Sequence, residues 1–356
     1  MIVVVKPGML ASVQDLGRHG HRERGICPGG ALDALALSLG NRLVGNADGA
    51  AGLELTLGNC ELRFECMTRI ALTGDDFGAT LDGLPVRANW SLPVRAGQTL
   101  RLGALNAAGT AKAGLRSWLA VAGGIDVPEI LGSRSTDLKA GFGGHEGRAL
   151  KKGDRLPLGR PSLDALQMAQ RSFGLRGPAW AIDGIDDAQP ADAISLRVMP
   201  GPEYAQFTAA SQRALWNDPW HITPQSNRMG SRLEGTALAR ERTLDMLSSG
   251  VIPGTLQVPP SGQPIILMGD AQTTGGYPRI GVVIRADLWK LAQAPLKGRL
   301  RLVQVDGIEA QRAWLAQELY LRQVAQGLAS VGWPVAAPAR ANALSSPQEA
   351  GEHDAD

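Results

Sequence analysis

The hydrophobic and polar positions of this chain alternate mainly with the two-residue period of β-strands. Residues 60–66 alternate apolar and charged side chains without a break, which predicts a strand buried on one face. Shorter apolar runs bounded by Gly and Pro predict further strands. In the first half these lie at residues 2–5, 53–57, 69–72, 100–102 and 117–122, and in the second half at residues 195–199, 255–258, 265–268, 281–284 and 299–305.

Helical periodicity is found in two places. Residues 31–44 predict a helix with Asp33 in its first turn, where a carboxylate interacts favourably with the helix dipole. Its apolar face is formed by Leu32, Leu35, Leu39 and Leu43. A second helix is predicted to begin after Asp306, because Asp306 and Glu309 have the spacing of a capping box, and to run to about residue 328.

The length and the Gly and Pro content indicate the domain organisation. The chain has 356 residues, 45 Gly and 22 Pro, which with many short strands predicts two β units, barrels or sandwiches, and few helices. Apolar periodicity is lost at about residues 175–193, so we place the first unit, with its inserted helix, at residues 1–185 and the second at residues 194–333. Residues 334–356 predict a disordered tail.

Charge, cysteines and histidines exclude several classes of function. Lys and Arg number 36 and Asp and Glu 34, so the net charge is +2. A charge this small does not indicate a surface that binds nucleic acid or an acidic membrane. No segment reaches the length that spans a bilayer. Cys27, Cys60 and Cys66 lack metal or redox spacing, which favours a reducing cytoplasm. The scattered histidines predict no metal site, and no Walker A sequence is present.

The first segment with candidate chemistry is residues 269–278, directly after the apolar run 264–268. Its polar side chains are Asp270, Gln272, Thr273 and Thr274, followed by Tyr277. Polar groups at the end of a buried strand are costly unless each has a partner, so they indicate a site. The alternative is a structural turn in which Asp and Thr bond their own backbone. Gln257 lies just upstream, in the preceding predicted strand.

A second segment contains Gln14, Asp15 and Arg18, followed by two glycines before the first helix. Arg18 offers a planar guanidinium to a carboxylate or phosphate, and Asp15 could orient it. The alternative is a turn that satisfies its own polar groups.

Two further segments are rich in Arg and hydroxyl groups. Residues 132–137 include Arg134, Ser135 and Thr136, which fit either an oxyanion contact or a helix N-cap. Arg228 and Arg232 are four residues apart. They could share a helix face as a surface ion network with Glu234 or Asp245, or they could bind an anionic substrate.

These segments together resemble one known family. They read Gln14-Asp15-Leu16-Gly17-Arg18, Leu131-Gly132-Ser133-Arg134-Ser135-Thr136-Asp137, Asn227-Arg228-Met229-Gly230 and Asp270-Ala271-Gln272-Thr273-Thr274-Gly275-Gly276-Tyr277-Pro278. They are similar, in order, to signature segments of the KipA-like family, also called allophanate hydrolase subunit 2, the C-type 5-oxoprolinase subunit (PxpC) or the biotin-dependent carboxyltransferase family. The resemblance extends from Val5 to about Val305.

The resemblance implies two cyclophilin-like β-barrels and a subunit of a larger complex. The partners it implies are a PxpA-type protein and a KipI-like (PxpB-type) protein, in a heterotetramer or larger assembly. The implied activity is an ATP-dependent 5-oxoprolinase that opens 5-oxoproline (pyroglutamate) to glutamate, with ATP bound through the complex. The family also includes modules that transfer a carboxyl group to urea, which need a biotin-bearing partner because this chain carries no biotin motif. A third alternative is a non-catalytic regulator of a sensor kinase.

The resemblance and the residue types together assign roles. Asp270, Gln272, Thr273, Thr274 and Asp15 are the expected catalytic residues. The expected substrate-binding residues are Gln14, Arg18, Arg134, Ser135, Thr136, Arg228, Arg232, Gln257 and Tyr277. Acting on a small amide or ureide requires a polarised carbonyl and a base or orienting carboxylate, for which Asp270 or Asp15 is suited. We expect these segments to meet at the mouth of one barrel.

Overall fold

The computed structural model describes residues 1–104, 114–177, 193–242 and 246–335. The helices are α1 (Ala34–Leu43), α2 (Ala165–Ala169), α3 (Ala209–Asn217), α4 (Leu288–Gln293) and α5 (Gly307–Ser330). The strands of the first half are β1 (Ile2–Pro7), β2 (Leu10–Gln14), β3 (Gly52–Thr56), β4 (Gly58–Phe64), β5 (Thr68–Gly74), β6 (Thr80–Leu81), β7 (Leu84–Pro85), β8 (Trp90–Val94), β9 (Thr99–Ala104), β10 (Arg116–Val121), β11 (Arg155–Leu156) and β12 (Phe173–Gly174). Those of the second half are β13 (Ala193–Pro200), β14 (Trp220–Ile222), β15 (Gly230–Glu234), β16 (Ser249–Gly250), β17 (Thr255–Gln257), β18 (Ile265–Leu267), β19 (Thr274–Gly275), β20 (Arg279–Val283) and β21 (Arg299–Gln304). The expected mainly β fold class is confirmed.

The first β unit consists of two six-stranded sheets. Their strand orders are β11-β1-β4-β9-β6-β7 and β12-β8-β5-β10-β3-β2, and the pairings are antiparallel. In β4 the side chains of Cys60, Leu62 and Phe64 are buried and Arg63 is exposed, as the alternating pattern predicts. These side chains join Leu53 of the other sheet in a common hydrophobic core.

The second β unit is a closed seven-stranded barrel in the order β13-β20-β17-β18-β15-β14-β21. Strands β21 and β13 close the barrel by parallel pairing, and the other pairs are antiparallel. A separate two-stranded sheet, which we call the flap, joins β16 and β19 beside the barrel.

Helix α1 begins later than the leucine spacing predicts. It starts at Ala34, and Asp33 is its N-cap, with the carboxylate accepting a hydrogen bond of 2.8 Å from the Ala36 N–H. The preceding residues are held in other contacts, because the Ala31 N–H donates to the Asp15 carbonyl and the Leu32 N–H to the Glu54 carboxylate. Helix α5, in contrast, has the predicted capping box of Asp306 and Glu309.

The two units share one hydrophobic cluster. Leu32, Leu37 and Trp118 of the first unit pack in it with Leu256 and Ile266 of the second unit and others. Polar contacts add to this packing at the end of α4, where Gln293 donates to the Asp33 carboxylate (3.0 Å) and accepts from the Arg116 N–H (3.2 Å). The units are therefore docked through a buried interface, so side chains from both can form one site.

The expected boundary and tail are described only in part. Residues 178–192, which contain most of the predicted boundary, lie outside the described residues. Of the predicted tail, Pro334 and Val335 are described, and Val335 packs against the cluster that contains Trp333. Residues 336–356 lie outside the described part of the chain.

We predict that Asp33 makes the stability of the chain depend on pH. Burial is the main cause that raises the pKa of Asp33 to about 6, whereas an unfolded Asp has a pKa near 3.9. Between these two values the folded state binds a proton that the unfolded state has released, so stability falls with rising pH. The stabilising contribution of Asp33 is therefore fully present below about pH 4 and is lost as the pH rises through about 6. Asp33→Asn keeps the cap and removes the charge, so its free energy of unfolding relative to wild type should rise by about 3 kcal/mol between pH 4 and pH 8.

Urea denaturation at a series of pH values measures this difference. Asp306→Asn, the same change at the solvent-exposed N-cap of α5, is the control. A difference between Asp33→Asn and wild type that is constant with pH would contradict the prediction.

Candidate functional site

The signature segments of the two units meet at Gly29. The Arg18 N–H donates to the Pro28 carbonyl (2.8 Å), and the Gly29 N–H donates to the Gly269 carbonyl (3.1 Å). A Cβ atom placed on Gly29 would lie 3.4 Å from Arg18 Nη1 and 3.8 Å from Asp270 Oδ1. The structure thus brings the guanidinium of Arg18 and the carboxylate of Asp270 to the same glycine.

Arg18 is completely buried and lacks a carboxylate partner within the part of the chain that the structure describes. Its Nη2 donates to the Ser135 carbonyl at 2.5 Å, and its guanidinium stacks 4.6 Å from the centre of the Phe142 ring. Its Nε and Nη1 have no hydrogen-bond acceptor among the described residues. Buried donors without acceptors are costly, so their retention indicates a place for the acceptor group of a ligand.

Arg228 binds the carboxylate of Asp270. The Arg228 Nε and Nη2 donate to the two carboxylate oxygens at 2.8 and 3.0 Å, a bidentate geometry that fixes the carboxylate plane. Burial raises the pKa of Asp270, Arg228 opposes the shift, and the negative charges of Glu54 and Asp137 add to it. A buried carboxylate with increased proton affinity is suited to take and return a proton.

Arg228 is itself anchored to the first unit. Its Nη1 donates to Glu54 Oε1 (2.6 Å) and its Nη2 to the Gly30 carbonyl (2.6 Å). Arg116 Nε lies 3.6 Å from the same Glu54 oxygen. We call Glu54, Arg116, Arg228 and Asp270 the buried ion cluster, since none of the four is more than 7% exposed. Glu54 was missed by the sequence analysis, although a charged residue within the apolar strand at 53–57 was a signal for it.

The carboxylate of Asp15 forms hydrogen bonds with the loop at residues 133–135, which lies beside Arg18. This carboxylate accepts from the N–H groups of Gly17 (2.7 Å) and Arg134 (2.6 Å) and from the hydroxyls of Ser133 (2.7 Å) and Ser135. With these bonds made, the geometry suits Asp15 to positioning this loop, whose Ser135 carbonyl in turn holds Arg18.

Cys27 interacts with both Asp137 and Arg18. Asp137 belongs to the signature segment at residues 131–137, whereas Cys27 was missed by the sequence analysis. The Cys27 thiol donates to Asp137 Oδ2 at 3.3 Å. Burial, this hydrogen bond and the charges of Asp137 and Asp270 raise the pKa of Cys27 to about 12. The thiol is therefore protonated at neutral pH and acts here as a hydrogen-bond donor. Cysteine spacing carried no signal for this role, because its partner is 110 residues away in the chain.

The other predicted residues of the first unit have local roles. Gln14 donates to the Ser12 hydroxyl (3.0 Å) and the Thr136 carbonyl (3.2 Å), and Thr136 donates to the Val13 carbonyl (3.0 Å). Both side chains are buried beneath the loop that carries Ser135. Arg134 lies on the surface between Asp126 (3.6 Å) and Glu129 (3.7 Å), so the structure does not bring its guanidinium to Arg18.

In the second unit the signature segment is divided between site and surface. Thr273 is buried, and its carbonyl accepts from the Val251 N–H, whereas Gln272, Thr274 and Tyr277 are exposed at the flap. Gln257 is buried beneath the flap, where its Nε2 would clash with a Cβ atom on Gly275.

The helix face that Arg228 and Arg232 could share is not present, and this interpretation was wrong. Arg228 lies in the turn closed by the bridge between Asn227 and Gly230, and Arg232 lies on β15, exposed between the buried Ser231 and Leu233. Because Arg228 precedes the strand and Arg232 lies within it, no helical turn aligns the two guanidiniums. Asp245 lies outside the described residues.

Fold and site together define a class of protein: two docked β units with an ionic site between them. Among the described residues, no cluster of His, Cys, Asp and Glu could hold a metal ion, and no helix is long and apolar enough to cross a membrane. The family model of the carboxyltransferase domain, subdomain A and B, matches residues 24–304. The chain belongs to this family.

Individual relatives agree with this membership. The chain is 47% identical over 325 residues to the C-type 5-oxoprolinase subunit of Escherichia coli (strain K12), covering 91% of this chain and 98% of that protein. It is 40% identical to the C-type 5-oxoprolinase subunit of Haemophilus influenzae, covering 91% of this chain and 97% of the relative. The crystal structure of the Kluyveromyces lactis urea carboxylase is similar with a TM-score of 0.79 and 29% identity, over 92% of this chain and 29% of the longer protein.

We predict that replacing the two buried arginines has unequal effects on stability. Arg228→Met leaves Glu54 and Asp270 without their shared guanidinium and should lower the free energy of unfolding by about 3–5 kcal/mol. Arg18→Met removes a buried cation with unfilled donors, so the free energy should fall by less than about 1 kcal/mol or should rise. Urea denaturation of the two variants compares them directly. An equally large loss for Arg18→Met would show that Arg18 supports the fold.

Proposed function

We propose that this chain is the C-type subunit of a 5-oxoprolinase-type complex, which opens the lactam of 5-oxoproline to glutamate with hydrolysis of ATP. It acts there with a PxpA-type protein and a KipI-like (PxpB-type) protein, and ATP is bound through the complex. The observation that carries the proposal is the meeting of the unfilled Arg18 Nη1 donor with the acceptor carboxylate of Asp270 at Gly29. An amide needs both, because its carbonyl accepts hydrogen bonds and its N–H donates one.

The chemistry of ring opening fits these groups. Water adds to the lactam carbonyl carbon, the C–N bond breaks, and the released nitrogen gains a proton. Arg18 is placed to polarise the carbonyl oxygen and stabilise its developing negative charge, a task that is stronger in a water-excluded site. Asp270, oriented by Arg228, is placed to hold the lactam N–H and to return a proton to the leaving nitrogen.

The length of the similarity favours this function over the urea-directed alternative. The relatives named as C-type subunits of 5-oxoprolinase match end to end, with 98% and 97% of their length covered. The urea carboxylase of K. lactis matches over 29% of its length. Urea presents the same carbonyl and N–H groups, so carboxyl transfer to urea with a biotin-bearing partner is the second candidate function.

The test of function compares two arginines in the assembled complex. This chain is mixed with the PxpA-type and PxpB-type proteins, ATP and 5-oxoproline, and released glutamate and ADP are measured. Arg18→Met should lower turnover by about 100-fold or more, as loss of an oxyanion donor does. Arg134→Met, which removes a surface guanidinium paired with Asp126 and Glu129, should keep turnover within about twofold.

Three outcomes would contradict the proposal. Equal loss in both variants would remove the special role of Arg18. Carboxylation of urea with a biotin-bearing partner, without release of glutamate, would favour the second candidate. Absence of both activities, with binding of this chain to a sensor kinase, would favour a non-catalytic regulator.

A further inference from the structure

We propose that Glu54 is a positioning residue for the reaction at Asp270, acting from the first unit through Arg228 on the carboxylate of the second. This inference rests on the proposed function only for its kinetic test. Glu54 has no atom within 4 Å of a Cβ atom placed on Gly29, so its effect there must pass through other groups.

The first path runs through Arg228. One end of this guanidinium binds both oxygens of Asp270, and Nη1 at the other end binds Glu54 at 2.6 Å. A planar guanidinium held at both ends cannot turn without breaking one of the contacts. Glu54 therefore fixes the plane of Arg228, and Arg228 fixes the plane of Asp270.

The second path runs through the backbone of the first unit. Glu54 Oε2 accepts the Leu32 N–H at 3.1 Å, while Arg228 Nη2 donates to the Gly30 carbonyl at 2.6 Å. These two hydrogen bonds attach the segment that follows Gly29 to the buried ion cluster. Glu54 thus fixes both the Asp270 carboxylate and the segment after Gly29, the glycine to which Asp270 and Arg18 are both close.

The third effect is electrostatic. Inside the buried ion cluster two carboxylates face two guanidiniums, and the charge of Glu54 is a cause of the raised pKa of Asp270. Replacing Glu54 by a neutral group leaves Asp270 as the one carboxylate paired with Arg228 among the described residues and removes a nearby negative charge, so the pKa of Asp270 should fall. The titratable and charged groups around Asp270 and Glu54 are Arg18, Cys27, Asp33, Arg116, Asp137 and Arg228.

We predict a shift in the pH profile of 5-oxoproline turnover by the complex. Glu54→Gln should move the acidic limb of kcat/KM to lower pH by about one unit and lower kcat about tenfold, with KM little changed. Glu54→Asp keeps the charge but shortens the side chain, so it should lower kcat while the acidic limb stays near its wild-type position. Glu54→Asp also decides the question if Glu54→Gln does not fold, since wild-type kcat in Glu54→Asp would overturn the proposal.

Asp287→Asn is the matched control for lost stability. Asp287 is a fully buried carboxylate in a bidentate pair with Arg197 (2.6 and 3.0 Å), within the second unit and without contact to the ion cluster. This variant should lose stability while its pH profile stays that of the wild type. A pH profile of Glu54→Gln that also stays unchanged, with stability lost as in Asp287→Asn, would show a structural role only and overturn the proposal.

A double-mutant cycle tests the coupling without turnover. Glu54→Gln and Asp270→Asn each leave Arg228 one carboxylate, but together they leave a buried guanidinium with none. The unfolding equilibrium constant of the double variant should exceed the product expected from the single variants by about tenfold or more. Additive effects would overturn the link through Arg228. If the wild-type complex releases no glutamate, the proposed function fails, and this cycle alone decides the role of Glu54.

Discussion

Two carboxylates from different β units share one guanidinium, and the rest of the site depends on this sharing. Arg228 and Asp270 lie on the barrel side, whereas Glu54 lies on β3 of the first unit. Buried charges repay their desolvation only with close partners and good geometry. Each unit alone holds one pair, Arg116 with Glu54 or Arg228 with Asp270, and docking adds the 2.6 Å contact between Arg228 and Glu54. The cluster therefore favours the docked arrangement in which the site is complete.

The hydrophobic packing around the cluster makes this arrangement specific. Leu32 and Trp118 pack with Ile266 across the same boundary, which excludes water from the charges and strengthens their interactions. Gln293 adds a contact to the buried Asp33 at a second point. Apolar burial supplies the affinity between the units, while the charges fix their register. This division explains why a site made of long, flexible Arg and Glu side chains can still hold a fixed geometry.

Much of the fold could be predicted from the sequence because its signals are local. The alternation at residues 60–66 and the capping box at Asp306 each arise within a few residues, and the structure contains both. The site could be predicted only as a set of segments. Glu54 and Cys27 were missed because their partners are distant in the chain, 174 residues away for Arg228 and 110 for Asp137. Arg134 and Arg232 had the right chemistry, but a surface pair of acids and an exposed strand position keep them apart from Arg18.

The surroundings of Gly29 show that the two arginines of the site differ: Arg228 is paired and stabilises the fold, whereas Arg18 has donors left for a ligand. Arg228 has acceptors for its charge, whereas Arg18 faces Gly29 with two nitrogens unfilled. Gly29 has a φ of +61°, which a side chain would strain, and a Cβ atom there would lie within 3.8 Å of both Arg18 and Asp270. Any other residue would thus fill the space between the donor and the carboxylate. The glycine leaves the unfilled donors of Arg18 to be paired by a ligand, so the stability that the chain forgoes at Arg18 becomes available as binding energy for that ligand.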